Sequence, residues 1–427
     1  MENRYPLRRV GLGDIGRRDR PADDPGTEAV VREIMEGVRS GGEHAVARYA
    51  LELDRSDGRL WYGPDDFAAA LEAIPAAERD ALQRAAARIR AFAAAQAAAL
   101  LPVDIAVPGG RAGHEVLPVD RAGCYVPGGR YPLPSTVLMT ALVARAAGVA
   151  DVAVACPRPV PIVLAACAVA GAGLLLAAGG AQAIAAFAYG AGRLSPRDVV
   201  VGPGNRYVAA AKRLAQSVVR TDAPAGPSEL LVVADETADP VTVAWDLLAQ
   251  AEHDPDAVPA LAATSEAVVT AVEGALAACL VELSGYRQES ADIARAALAN
   301  GWAFVSADRR SLAEAANRFA PEHLELALAD SGTFAGSCRH AGALFLGRSS
   351  AEALGDYGAG PNHTLPTSGR ARSSGGLSVF DFLRIRTWLR IDSPDGRLMA
   401  DTATLARAEG LQAHAVSAEQ RLRPEKA

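Results

Sequence analysis

A chain of 427 residues holds material for two large domains or about three ordinary ones. Half of its residues are apolar, 22% are charged and the formal net charge is −7, which excludes a disordered chain; with no Lys or Arg block to neutralise phosphates, it also argues against a nucleic-acid partner. The cysteines Cys124, Cys156, Cys167, Cys279 and Cys338 are widely spaced with no C-x-x-C, so buried thiols are expected rather than a disulfide framework, and the polar start Met1-Glu2-Asn3-Arg4 reads as cytoplasmic.

Residues 1–20 are Arg-rich and read as an N-terminal arm outside any core. Within them Gly11-Leu12-Gly13-Asp14-Ile15-Gly16 matches G-x-G-x-x-G. It lacks a strand before it and a helix after it, so it reads as a chance match, and a dinucleotide would have to bind in another way. Val30, Val31, Ile34, Met35 and Val38 recur at helical spacing up to the Ser40-Gly41-Gly42 break, and a second helix follows to about Leu53. Pro75 opens a long Ala-rich helix that stops before Pro102.

From residue 120 short apolar runs alternate with Gly-rich turns and Ala-rich helices. Strands are predicted at 121–126, 152–155, 174–177, 199–201, 230–234, 259–263, 302–306 and 343–346, with helices between them. That alternation indicates βαβ units and parallel sheets. The expected fold class is α/β: two Rossmann-like α/β domains, one inserted in the other, with extended N- and C-terminal arms. The boundaries read as 21–124 plus 229–370 for the first domain, 125–228 for the inserted one, and 371–427 for a C-terminal helical arm.

No charge occurs from Pro159 to Gly192, a run longer than the ~20 residues of a membrane span. Glycines at 171, 173, 179 and 180 divide it into pieces too short to span, so the interior of an α/β domain is the better reading and no membrane partner is expected.

Four segments could carry chemistry. Gln250 and His253 share a helix face and offer an amide oxygen and an imidazole to a divalent metal, though taken alone a satisfied helix-end histidine is the better explanation. Glu322 and His323 pair a carboxylate with an imidazole at the start of a short alternating run; neighbours on a strand point to opposite faces, so both could act only at the strand's entrance. The Gly-rich loop 355–363 holds Asp356 and His363. Glu409 and His414 lie in the C-terminal arm. Four of the seven histidines fall in these segments, and an N/O donor set without thiolates suits a catalytic metal with an open position.

Taken in order, Tyr125-Val126-Pro127-Gly128-Gly129, Gly179 to Ala186, Gly202-Pro203-Gly204-Asn205, Pro224 to Glu229, Gln250 to His253, Pro321-Glu322-His323, Asn362 to Thr367 and Glu409 to His414 carry a resemblance to the histidinol dehydrogenase family over nearly the full length. The resemblance implies a zinc- and NAD-dependent, two-step oxidation of histidinol to histidine. It implies one zinc held by Gln250, His253, Asp356 and His414, with His323 as general base and Glu322 activating water. Tyr125, Gln182 and Asn205 would contact NAD. The substrate would touch Ser228, His323, His363 and Glu409 together with the zinc ligands Gln250, His253, Asp356 and His414. It implies a homodimer in which the arm completes the partner's active site. The chain departs from the family after its Pro-Gly-Gly turn, at 130–136, and in the uncharged strand at 174–177. Relatives oxidise other small alcohols, including a sulfonated propanediol, which is the alternative substrate class.

Overall fold

The structure is a computed structural model that describes residues 7–16, 25–128, 131–223 and 226–422. The first and last parts of the N-terminal arm, Gly129-Arg130, Pro224-Ala225 and the polar tail from Arg423 lie outside the described residues.

Two six-stranded sheets organise the molecule. In one the order is Trp61–Tyr62, Leu174–Leu176, Asp151–Ala155, Arg121–Tyr125, Val199–Val201, Arg220–Thr221, parallel except for the first edge strand. In the other it is Arg8–Arg9, Trp302–Val305, Val258–Ala263, Glu229–Ala234, His323–Ala327, Ala343–Leu346, all parallel. Numbered along the chain, the five main strands of each sheet run 3-2-1-4-5, the order of a doubly wound nucleotide-binding sheet without its sixth strand. Their central strands are almost entirely Val, Leu and Ala because helices cover both faces. The uncharged run lies inside the first unit as the helix Pro161–Ala170, the strand Leu174–Leu176 and the helix Gly180–Tyr189. Among the described residues one helix, Glu266–Tyr286, is long and apolar enough to cross a membrane; its Val269, Val272, Leu276 and Leu280 are buried in the core beside the second sheet.

The domain boundaries differ from expectation. Residues 25–98 were expected with the second sheet and pack on the first. Val31, Val38 and Val46 of Pro25–Asp54 share a core with Ile184 and Phe187, and Leu82 and Ile89 of Ala76–Ala98 join Val137, Leu138 and Phe382. Arg121–Tyr125 is the central strand of the first sheet, so the segment set into the second unit runs from about residue 25 to Asp222 and not from 125. A helical period shows that one face is buried; it carries no information about which sheet buries it. The reading of residues 1–20 as lying outside any core is corrected too: Leu7 and Ile15 are buried, and Arg8–Arg9 pairs with Trp302–Val305. A two-residue strand thus does precede Gly11, but a 3-10 turn at Leu12–Asp14 follows it instead of a helix, and the glycine motif remains a coincidence.

The expected break holds: Gly42, at φ 54° and ψ −134°, a conformation that glycine adopts without strain, separates two helices within Pro25–Asp54. The C-terminal arm is not wholly helical. Leu383–Ile391 joins Val103–Val107 and Gly110–Pro118 in a three-stranded antiparallel sheet, and only then do the helices Gly396–Ala408 and Gln412–Gln420 follow. These two pack on each other through Ala403, Ala406 and Ala415.

Candidate active site

His323 is the first residue of its strand and Glu322 immediately precedes it, so the alternation rule does not force the two side chains apart. Both are buried, at 4% and 7% exposure. Their orientation comes from one residue of the neighbouring strand. The Glu229 N–H donates to Glu322 Oε2 at 3.0 Å, and the Glu229 carbonyl lies 3.2 Å from His323 Nδ1. A carbonyl can only accept, so Nδ1 carries the proton and Nε2 is the free basic nitrogen. Burial lowers the His323 pKa to about 4, which keeps the ring neutral at neutral pH. Burial also pushes the Glu322 carboxyl well above its usual range.

His323 Nε2 faces two carboxylates, Glu352 Oε1 at 3.7 Å and Asp356 Oδ1 at 4.0 Å. Asp356 in turn lies 3.6 Å from His253 Nε2 and 3.6 Å from His363 Nδ1. Burial alone would raise the Asp356 pKa, but His363, His323 and His253 outweigh it and hold the carboxylate below its ordinary value. One donor atom each from His253, Glu352 and Asp356 fall within 4.8 Å of one another. Gln250, in the last turn of Pro240–Ala251, is 1% exposed, and neither its amide oxygen nor its amide nitrogen has a hydrogen-bond partner among the described residues. Unsatisfied buried amides are rare. A buried carbonyl donor beside imidazole and carboxylate groups, with no thiolate, fits a zinc ion. Glu352, 1% exposed, was missed in the sequence because nothing in Ser350-Ala351-Glu352 distinguishes it from a helix-capping acid.

The helix carrying Gln250 is tied to the strand carrying His323 by a second buried acid pair, Asp246 and Glu325. Burial and the adjacent Asp246 push the Glu325 carboxyl up to about 9, so at neutral pH the pair shares a proton. A carboxyl whose folded pKa exceeds its unfolded one stabilises the fold fully at low pH and loses that contribution as pH rises through the folded value. The expected result is a fall of roughly 1 kcal/mol per pH unit between pH 7 and 9 that Glu325→Gln, whose amide can donate to Asp246, does not show; thermal melts of the two proteins across that range check it.

A second group of the expected site residues stands at the carboxyl ends of the first sheet. Tyr125 is 4% exposed and its hydroxyl accepts from Gly180 N–H at 3.2 Å. Gln182 is buried; its amide donates to Asp54 Oδ2 at 3.0 Å, while its own oxygen has no partner among the described residues. Asp54 also accepts from Gly179 N–H at 2.8 Å. The Gly179 and Gly180 N–H groups are thus engaged by a carboxylate and a phenol within the chain. Asn205 caps Arg206–Ala215, its side-chain oxygen accepting from the Tyr207 and Val208 N–H groups, and is exposed. Tyr125 and Asn205 stand at the ends of the two strands where the order reverses, the usual place for a nucleotide.

Ser228 is half-buried one residue before Glu229. Glu409 and His414 are exposed on the helical hairpin, which makes its main contacts with itself. Within one chain neither is brought to His253 and Asp356.

The sequence profile of the histidinol dehydrogenase family matches residues 17–422. A histidinol dehydrogenase of Thermus thermophilus is 45% identical over 92% of this chain and 94% of its own length. A histidinol dehydrogenase homolog of Ruegeria pomeroyi is 42% identical over 94% of both. The crystal structure of histidinol dehydrogenase from Elizabethkingia anophelis superposes with a TM-score of 0.91 at 32% identity, covering 99% of each chain.

Proposed function

Because the chain belongs to the histidinol dehydrogenase family, we propose that His323 and Glu322 are the acid–base pair of its NAD-linked oxidation of L-histidinol through the aldehyde to L-histidine. The enzyme is a zinc- and NAD-dependent oxidoreductase acting on CH–OH. The observation that carries the residue assignment is the one residue, Glu229, whose main-chain N–H and C=O orient both groups, leaving the free nitrogen of His323 facing Glu352 and Asp356.

When bound, zinc supplies a Lewis acid that polarises the substrate oxygen and NAD supplies the two-electron oxidant. Gln250, His253 and Asp356 would hold the metal, and Tyr125, Gln182 and Asn205 would meet the cofactor. His323 Nε2 takes the hydroxyl proton in the first oxidation. Glu322, fixed by the Glu229 N–H, holds the water that hydrates the aldehyde and removes its proton. Two acid–base groups serve two oxidations at one place. Ser228, His363 and Glu409 are assigned to the substrate. Zinc-loaded enzyme with excess NAD should form two NADH per L-histidinol; one NADH with released aldehyde, or turnover only of a sulfonated propanediol, would sink this reading.

A homodimer is part of the proposal. The exposed hairpin presents Leu405, Leu411 and Val416 along with Glu409 and His414, an apolar face with ligands on it, and it suits docking over the half-open side of His253 in a partner subunit. His414→Ala should lower zinc content. Mixing that variant with His323→Ala should regain activity, because a hybrid dimer then holds one intact site. Full zinc retention, or no recovery on mixing, would remove His414 from the site. A cytoplasmic setting belongs to the same reading.

A further inference from the structure

The Gly202-Pro203-Gly204-Asn205 turn has an anchor that none of the assigned roles uses. Gly202 sits at φ 118°, and a Cβ there would lie 2.0 Å from the Tyr125 carbonyl oxygen, so the position admits no side chain. It is held instead through its peptide groups. Its N–H donates to Asp222 Oδ2 at 2.8 Å, and its carbonyl accepts from Lys212 Nζ. Lys212 and Asp222 are themselves ion-paired, with side chains only 3% and 6% exposed. A lysine buried to that degree is rare and has to be paired. Lys212 lies on the helix that Asn205 caps, and Asp222 follows the edge strand Arg220–Thr221 on the way to Ser228 and Glu229.

We propose that the Lys212–Asp222 pair is a positioning device for the cofactor: it clamps both peptide groups of Gly202 and so fixes the turn that presents Asn205 beside Tyr125. Neither residue touches the cofactor. The inference rests on the reading of this turn as part of the NAD site. The pair acts on binding and leaves the acid–base groups, which stand on the other sheet, as they are. A preformed turn binds more tightly than one that must be ordered on binding.

The test uses zinc-loaded, full-length enzyme and NADH titrated by fluorescence. Lys212→Met combined with Asp222→Asn removes both charges without stranding either. The expected result is an NADH Kd raised about tenfold, the size expected for lost charged hydrogen bonds, with KM for NAD raised alongside, kcat within about twofold and zinc content unchanged. Asn205→Ala is the control for the site itself. If that control weakens NADH and the double variant binds as the wild type does, the clamp is overturned. If the control leaves NADH binding untouched, the placement of the cofactor fails first. Parallel loss of zinc and of histidinol binding would show a general structural role and also overturn the clamp. Should the double variant not fold, Asp222→Asn alone decides: it keeps an acceptor for Gly202 but loses the attraction to Lys212, so a rise of about threefold is expected and no change counts against the proposal.

Discussion

Replacing His323 with Ala is expected to lower kcat for both oxidations by about 10²–10⁴, the range for loss of a positioned general base. The ring is 4% exposed, its Nδ1 is committed to the Glu229 carbonyl, and its Nε2 is the free basic nitrogen facing Glu352 and Asp356. NADH affinity should stay near the wild-type value, because Tyr125, Gln182 and Asn205 belong to the other sheet. Single-turnover assays begun from histidinol and, separately, from its aldehyde read the two steps. A variant within tenfold of wild type on both would remove His323 from the chemistry.

Glu322→Gln separates the two steps. Glutamine retains an oxygen to accept the Glu229 N–H, so the local structure survives, but it cannot remove a proton from water. The aldehyde step should slow by about 10²-fold or more, while the alcohol step changes little. The first NADH then forms at near wild-type rate and aldehyde accumulates, which trapping reagents detect. Slowing confined to the alcohol step would reverse the roles of Glu322 and His323.

The parallel α/β character could be read from the sequence because buried strands such as Val199–Val201 and Glu229–Ala234 are short apolar runs set between Gly-rich turns and helices. The allocation of elements to sheets was not readable. Val31 and Val38 announce a buried face, yet only the tertiary structure decides that it meets Ile184 and Phe187. The strand Leu383–Ile391 did carry a signal, Ile385, Thr387 and Leu389 alternating with arginines, but its surroundings read as a helical arm. For the site, His253, His323, Asp356 and His363 were singled out by residue type and do converge. Glu229 and Glu352 escaped because their parts depend on main-chain geometry and burial, and neither is visible in a string of letters.

The role of Glu229 bears on how this chemistry withstands mutation. Its hydrogen bonds to Glu322 and His323 are made by its main-chain N–H and C=O and not by the side chain. They follow from the register that sets Leu230 opposite His323. Exchange of the side chain at 229 therefore leaves both bonds available, whereas proline, which lacks the N–H, deletes one of them. The alignment of the acid–base pair is a property of strand pairing, inherited with the sheet itself, and drift in the sequence around it can proceed so long as that pairing holds.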